Sequence, residues 1–376
     1  MQTADAAPAP VPAADRRLGH RPELDGLRGV SILLVLYYHF KQSLWLPGGF
    51  LGVDIFFGLS GFLITSLLVA EWAQTGRISL RQFYARRALR LLPALFVLLG
   101  VLCAGAALFL SARRAAEVYL GSLLTLFYVT NWALAFNLVL SLGPFNITWS
   151  LAIEEQFYLL WPPLLVAMLR LGWSRRRVLT VLTAAALFVP VYRALLWRHG
   201  VAHGRLYYGS DTRADALLWG CVAGLLVSWN LIARGRAAEF WLRAAAWLAL
   251  LLLAVFMNLF GAATPFMYLG GFALVEVAVA VLLLALSVAP PRPMLAALRC
   301  APLVWTGRIS YGLYLWHWPV NWYAYLLPGS RGTRAVLGVA LSFVAATVSF
   351  YLVERPFLRL KRRFTPPRAV KAGARR

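Results

Sequence analysis

Apolar runs of about twenty residues recur along this chain, separated by short stretches rich in arginine. They fall near 26–46, 50–73, 91–111, 116–138, 148–170, 178–197, 214–231, 242–260, 267–289, 303–327 and 334–354. As helices, runs of that length match the hydrocarbon thickness of a bilayer. Only helices or a closed barrel satisfy the backbone in lipid. Barrel strands alternate over about ten residues, and these runs are too long and too continuous for that. The pattern therefore predicts an all-α fold, a polytopic transmembrane helical bundle. One stretch, 77–90 (RISLRQFYARRALR), is basic and amphipathic and reads as an interfacial helix.

Loop charge adds orientation. The stretches at 74–90, 170–177, 234–243 and 290–302 and the C-terminal tail are basic, whereas those near 261–267 and 328–333 carry little charge. Basic loops stay on the cytoplasmic side, which places both termini there. The second half alternates if the 148–170 helix ends inside, and that requires an even number of crossings up to residue 170. Five segments precede that point, so one is expected to be re-entrant or broken. The choice is 116–138, which holds Thr125, Thr130 and Asn131 and leads into Gly143-Pro144. About ten crossings remain. Residues 1–21 read as a disordered basic cytoplasmic tail without the apolar core of a signal peptide, 22–358 as the membrane domain, and 359–376 as a second basic tail.

Composition narrows the function classes. The chain has 376 residues, is 61% hydrophobic and carries a net charge of +23; its mean hydropathy is +0.69. The basic residues sit in loops between apolar runs, so nucleic acid is not the expected partner. Lysine is confined to Lys41, Lys361 and Lys371, and with arginine so frequent a lone Arg-x-x-Arg carries little weight. Cys103, Cys221 and Cys300 are scattered, with neither disulfide nor metal-ligand spacing, and no metal site is expected.

Candidate chemistry begins in the first helix, PELDGLRGVSILLVLYYHF (22–40). Arg28 and His39 are eleven residues apart, about three turns, so they share a face roughly 16 Å apart along the axis. An imidazole in a membrane helix is costly unless it faces protein or water, and it marks a functional site by default. His39 reads as a general base or as a histidine bonded between helices. Asp25 is an i, i+3 partner for Arg28 or a cap at the membrane edge. Asp54, in GVDIFFGLSGFLI, either orients His39 as a triad carboxylate would or pairs with an arginine of another helix. Gly58, Ser60 and Gly61 permit close helix approach.

Arg86, Arg87 and Arg90 lie at the basic edge of the third run, where they either grip phosphate or anchor to anionic lipid. Glu154 and Glu155 follow a helix start at Thr148, as acidic complements to its N-terminus or as site residues. Arg213 and Asp215 open another helix, as an ion pair or as part of a cavity network. His317 in LYLWHWPV is the rival imidazole, and Trp316, Trp318 and Pro319 predict a broken helix there.

Several stretches together resemble the acyltransferase 3 family of integral-membrane O-acyltransferases. They are RPELDGLRGVSILLVLYYHF, GGFLGVDIFFGLSGFLIT, FYARRALRLLP, TWSLAIEEQFYLLWP, TRADALLWG, GRISYGLYLWHWPV and VERPFLRL, and they run nearly the whole length of the chain in family order. The resemblance implies transfer of an acyl group, acetyl in the first instance, from acyl-coenzyme A to a hydroxyl of a cell-surface glycan, glycolipid or secreted metabolite. It implies a bacterial inner-membrane location and no permanently bound cofactor. Within it His39 is the catalytic histidine; on the residues' own chemistry Asp54 would orient it, and Arg28 or backbone groups would stabilise the oxyanion. Arg86, Arg87 and Arg90 meet coenzyme A, and Glu154, Glu155, Arg213, Asp215 and His317 lie on the substrate side. The other class is a transporter or flippase for a lipid-linked sugar, since intramembrane charges also mark permeation paths. No internal repeat supports it.

Overall fold

A computed structural model of the chain describes residues 21–40, 45–139, 141–324 and 329–360. Apart from Arg21, Arg359 and Leu360, the two expected tails lie outside the described residues. Within them the chain is helical, with no strand. The helices are α1 (Pro22–Phe40), α2 (Gly52–Thr75), α3 (Leu80–Phe109), α4 (Ala112–Leu126), α5 (Thr130–Ala135), α6 (Thr148–Arg170), α7 (Arg175–Arg198), α8 (His203–Tyr208), α9 (Ser210–Ser228), α10 (Arg236–Leu259), α11 (Phe272–Val288), α12 (Arg292–Leu298), α13 (Ala301–Arg308), α14 (Ser310–Ala324), α15 (Arg331–Ser349) and α16 (Arg355–Leu360). Wide turns at Met267–Gly271 and Phe350–Glu354 lead into α11 and α16.

Local signals explain many of the ends. Ser79, Ser174 and Ser330 precede α3, α7 and α15, and each side chain accepts a hydrogen bond from a backbone N–H three residues on. Gly76, at φ 66°, stops α2 in the left-handed conformation. The expected interruption of 116–138 falls between α4 and α5, where Tyr128 takes a positive φ of 54°.

Two expectations need correction. The 77–90 stretch is not a separate interfacial helix. It opens α3, whose helical pattern runs on through Pro93 to Phe109. The 303–327 run breaks at Ile309, between α13 and α14, while Pro319 lies inside α14. Six helical stretches, against about ten expected crossings, are long and apolar enough to cross a membrane among the described residues: Gly49–Thr75, Leu80–Phe109, Arg175–Arg198, Arg236–Leu259, Met267–Val288 and Arg331–Leu360. Helices α1, α6 and α9 carry charges within their runs, and α14 is short.

Those charged helices form the inside of the bundle. α2 packs along α9, which also contacts α7 and α11; α1 lies against α2, α13 and α14. In lipid, helix association rests on close packing and interhelical hydrogen bonds, because lipid tails are as apolar as leucine. Gly61 and Gly220 make the α2–α9 contact possible. A Cβ on Gly61 would lie 2.0 Å from the Leu217 carbonyl oxygen, and one on Gly220 2.2 Å from that of Gly58. α10 and α15 turn much of their apolar surface outward, Leu248, Leu251, Val336 and Val344 among it.

Candidate active site

Helix α1 runs unbroken from Pro22 to Phe40, so Arg28 and His39 stay about 16 Å apart along its axis. At one end, His39 is half-buried. Its Nδ1 lies 3.0 Å from Nε2 of His317, and the ring centres are 5.0 Å apart. His317 is fully buried on α14, its Nδ1 3.0 Å from the Leu313 carbonyl and 2.8 Å from that of Tyr314. Trp318 stands edge-on to His39 at 4.8 Å and donates through Nε1 to the Gly143 carbonyl at 3.0 Å. Two imidazoles from opposite ends of the chain thus form one hydrogen-bonded unit.

At the other end, Arg28 Nε donates to Ser310 Oγ at 3.3 Å. Arg28 lines a pocket of about 50 Å³ with Phe57, Ser150, Glu154, Tyr311 and Tyr314, a few times the space one water requires. Ser150 and Tyr314 share a hydrogen bond across it. Glu154 accepts from Ser60 Oγ at 2.5 Å, which places Ser60 as a donor to a carboxylate. Glu155 points elsewhere, as an adjacent helical residue must, and accepts from Arg87 Nη2 at 3.0 Å. The Arg87 guanidinium also lies 3.6 Å from the centre of the Tyr158 ring. Arg90 shares the electrostatic field of Arg28, Arg87 and Glu154, and Glu354 sits near Arg90 and Arg28. Among the described residues Arg90 makes no ion pair. Arg28, Arg87, Arg90, Glu154 and Glu155 therefore gather in one region, although the sequence assigns them to three separate roles.

Other predicted residues lie apart from this constellation. Asp54 is fully buried and paired with Arg213, so its carboxylate is committed to α9 rather than to His39, whose imidazole meets His317. Asp215 forms a two-point pair with Arg193 at 2.9 and 3.0 Å, with both side chains excluded from solvent. The Arg213 guanidinium lies 3.8 Å from the centre of the Phe272 ring. These four residues tie α2, α7 and α9 together, in line with the ion-pair alternative for Arg213 and Asp215, although each pairs with a residue of another helix rather than with the other. Arg86 pairs with Glu71 at 3.1 Å and joins α3 to the end of α2. Asp25 lies 3.8 Å from Arg308. Arg28 is too far from His39 to stabilise an oxyanion formed beside it and belongs to the pocket instead. Sequence reasoning passed over Arg193 and Glu276, each buried in an apolar run. A lone charge in such a run is itself the signal that would have found them.

A multi-pass membrane protein with an inward-facing histidine pair and a pocket lined by Arg28 and Glu154 is the class these features define. A family model described as an acyltransferase domain, that of the acyltransferase 3 family, matches residues 21–355. The chain belongs to this family. It is 34% identical over 349 residues to the peptidoglycan O-acetyltransferase OatA of Listeria monocytogenes, covering 89% of this chain and 55% of that protein. YrhL of Bacillus subtilis, for which peptidoglycan O-acetylation is a provisional assignment, is 35% identical over 349 residues, covering 89% and 54%. The chain spans about half the length of the curated relatives it matches. No solved structure matches it.

Proposed function

We propose that the protein transfers an acetyl group from acetyl-coenzyme A to a hydroxyl of a cell-surface glycan, with peptidoglycan the first acceptor to test. The observation that carries this reading is the placement of His39 and Arg28 on one helix face. An imidazole pair stands at one end, and a pocket with three neighbouring guanidiniums stands at the other. Family membership and the names of the relatives support the acyl chemistry. The donor is read from the arginines. Arg90 has no carboxylate partner among the described residues, and guanidiniums suit the phosphates of coenzyme A.

In this reading both termini face the cytoplasm of a bacterial inner membrane, consistent with the basic loops. Acetyl-coenzyme A enters from that side, its phosphates held at Arg87 and Arg90, and its long arm runs past Arg28 toward His39. His39 takes the proton from the acceptor hydroxyl as that oxygen attacks the thioester carbonyl carbon. The carbon–sulfur bond then breaks, and the thiolate leaves with the proton returned by the His39 imidazolium. The products are an O-acetyl ester and free coenzyme A. General acid–base help of this kind is worth about 10²–10⁴ in rate.

The test is reconstitution of the full chain in lipid vesicles with acetyl-coenzyme A, labelled in the acetyl group, and a muramic-acid-containing glycan fragment. Label that becomes ester-linked to the glycan supports the reading. Glycan crossing the vesicle wall without label would instead make the protein a transporter.

A further inference from the structure

We propose that His317 is a positioning residue that fixes which nitrogen of His39 accepts the proton. The inference rests on His39 being the base of the transfer reaction. His317 Nδ1 faces two carbonyl oxygens, those of Leu313 at 3.0 Å and Tyr314 at 2.8 Å. Carbonyl oxygens only accept, so this nitrogen carries hydrogen. In a neutral imidazole the other nitrogen then holds a lone pair, and that nitrogen, Nε2, lies 3.0 Å from His39 Nδ1. Two lone pairs cannot face each other across a hydrogen bond, so His39 Nδ1 carries hydrogen and donates. One nitrogen of neutral His39 is thereby assigned the lone pair, and it is Nε2.

The chain of assignments starts from helix backbone and ends at the base. Leu313 and Tyr314 lie one turn before His317 on α14, so their carbonyls are set by the helix itself. His317 is wholly buried, with no room to turn its ring toward solvent. Trp318 walls the His39 ring at 4.8 Å and is pinned to the Gly143 carbonyl. A triad carboxylate performs the same service for its histidine, holding the tautomer and stabilising the imidazolium. Here the acceptor is a neutral imidazole, so it orients the base without adding a charge to the apolar interior. When His39 takes the acceptor's proton at Nε2, Nδ1–H stays bonded to His317 and no further proton moves.

The experiment uses the reconstituted full chain, acetyl-coenzyme A and the glycan fragment, with His317→Leu, His317→Gln, His317→Asn, His317→Glu and His39→Gln. Leucine removes the acceptor. Its expected effect is a loss of about 10²-fold in kcat, with KM for acetyl-coenzyme A held within about twofold, because donor binding is remote. Glutamine places an amide oxygen near the Nε2 position and is expected to restore most of the rate, whereas the shorter asparagine is not. A carboxylate from His317→Glu favours the His39 imidazolium, so the acid limb of kcat/KM is expected to move to higher pH. In wild-type protein with ¹⁵N-labelled histidine, the His39 signals should show a protonated Nδ1 and an unprotonated Nε2.

A fully active leucine variant beside a dead His39→Gln would overturn the role of His317 and leave the base reading standing. An active His39→Gln would remove both. Should the leucine variant fail to fold, equal rates for glutamine and asparagine, or an Nε2-protonated His39, would overturn the proposal in its place.

Discussion

Two groups of charged side chains lie within this bundle, and they differ in what they leave available. Asp54, Arg193, Arg213 and Asp215 are at most 1% exposed and pair with one another across α2, α7 and α9. Arg28, Arg87, Arg90 and Glu154 are only half-buried, and they border a pocket or stand close to it. Both groups would look functional on the rule that charge inside a membrane protein marks a site. In the first each cation meets an anion, and aromatic rings such as Phe272 cover the guanidiniums, although Asp54 Oδ2, Arg193 Nε and two Arg213 nitrogens keep no hydrogen-bond partner among the described residues. The second retains Arg90 without a carboxylate partner among the described residues. The presence of charge inside the bundle therefore separates nothing by itself; a charge that is both accessible and unpaired is the better pointer to a ligand.

The sharpest way to break the comparison is to open the first group. Asp54→Ala leaves the Arg213 guanidinium without its partner, and removing one member of a buried pair costs about 3–5 kcal/mol. A large drop in melting temperature in detergent is expected, and adding Arg213→Met should recover part of it. An Asp54→Ala protein that melts normally yet fails to transfer would return Asp54 to the chemistry.

In the second group, Arg90→Ala should raise KM for acetyl-coenzyme A about tenfold or more, since a hydrogen bond to a charged group is worth about 1.5–3 kcal/mol. Its melting temperature should stay close to wild type. Titration of initial rates against donor concentration gives the answer, and an unchanged KM would remove Arg90 from the donor site.

A third variant probes the packing that holds the first group together. Gly220→Ala forces a methyl against the Gly58 carbonyl and should cost about 1–3 kcal/mol through overpacking, read by thermal melting. The smallest effect belongs to Arg86→Ala, about 1 kcal/mol or less for a partly exposed pair, with KM for the donor unmoved. Equal KM changes for Arg86→Ala and Arg90→Ala would erase the line drawn between them.

Much of this was legible before the structure. The limits of α6 match the apolar run at 148–170, whereas α1 begins four residues before the 26–46 run, and the interruption near Tyr128 follows from the polar residues around it. The Arg28–His39 face follows from helical geometry alone. Boundaries inside long apolar stretches were less readable, because a proline such as Pro93 or Pro319 can sit within a helix whose neighbours re-satisfy the backbone. Pairings were the least legible. Asp54 meets Arg213 across 159 residues and His39 meets His317 across 278, and no local spacing rule reaches that far. For Asp54 the arginine alternative is the one the structure favours, but nothing local identifies that arginine as Arg213, and Arg193, its network neighbour, lies inside an apolar run.

The central claim is that a proton is taken by the imidazole at the C-terminal end of α1 during ester formation. The most direct measurement is a single turnover of labelled acetyl-coenzyme A by folded His39→Gln protein in vesicles, with saturating glycan. A fall of about 10²–10⁴ in the esterification rate, with donor affinity retained, is the predicted result. Turnover at the wild-type rate would contradict the account.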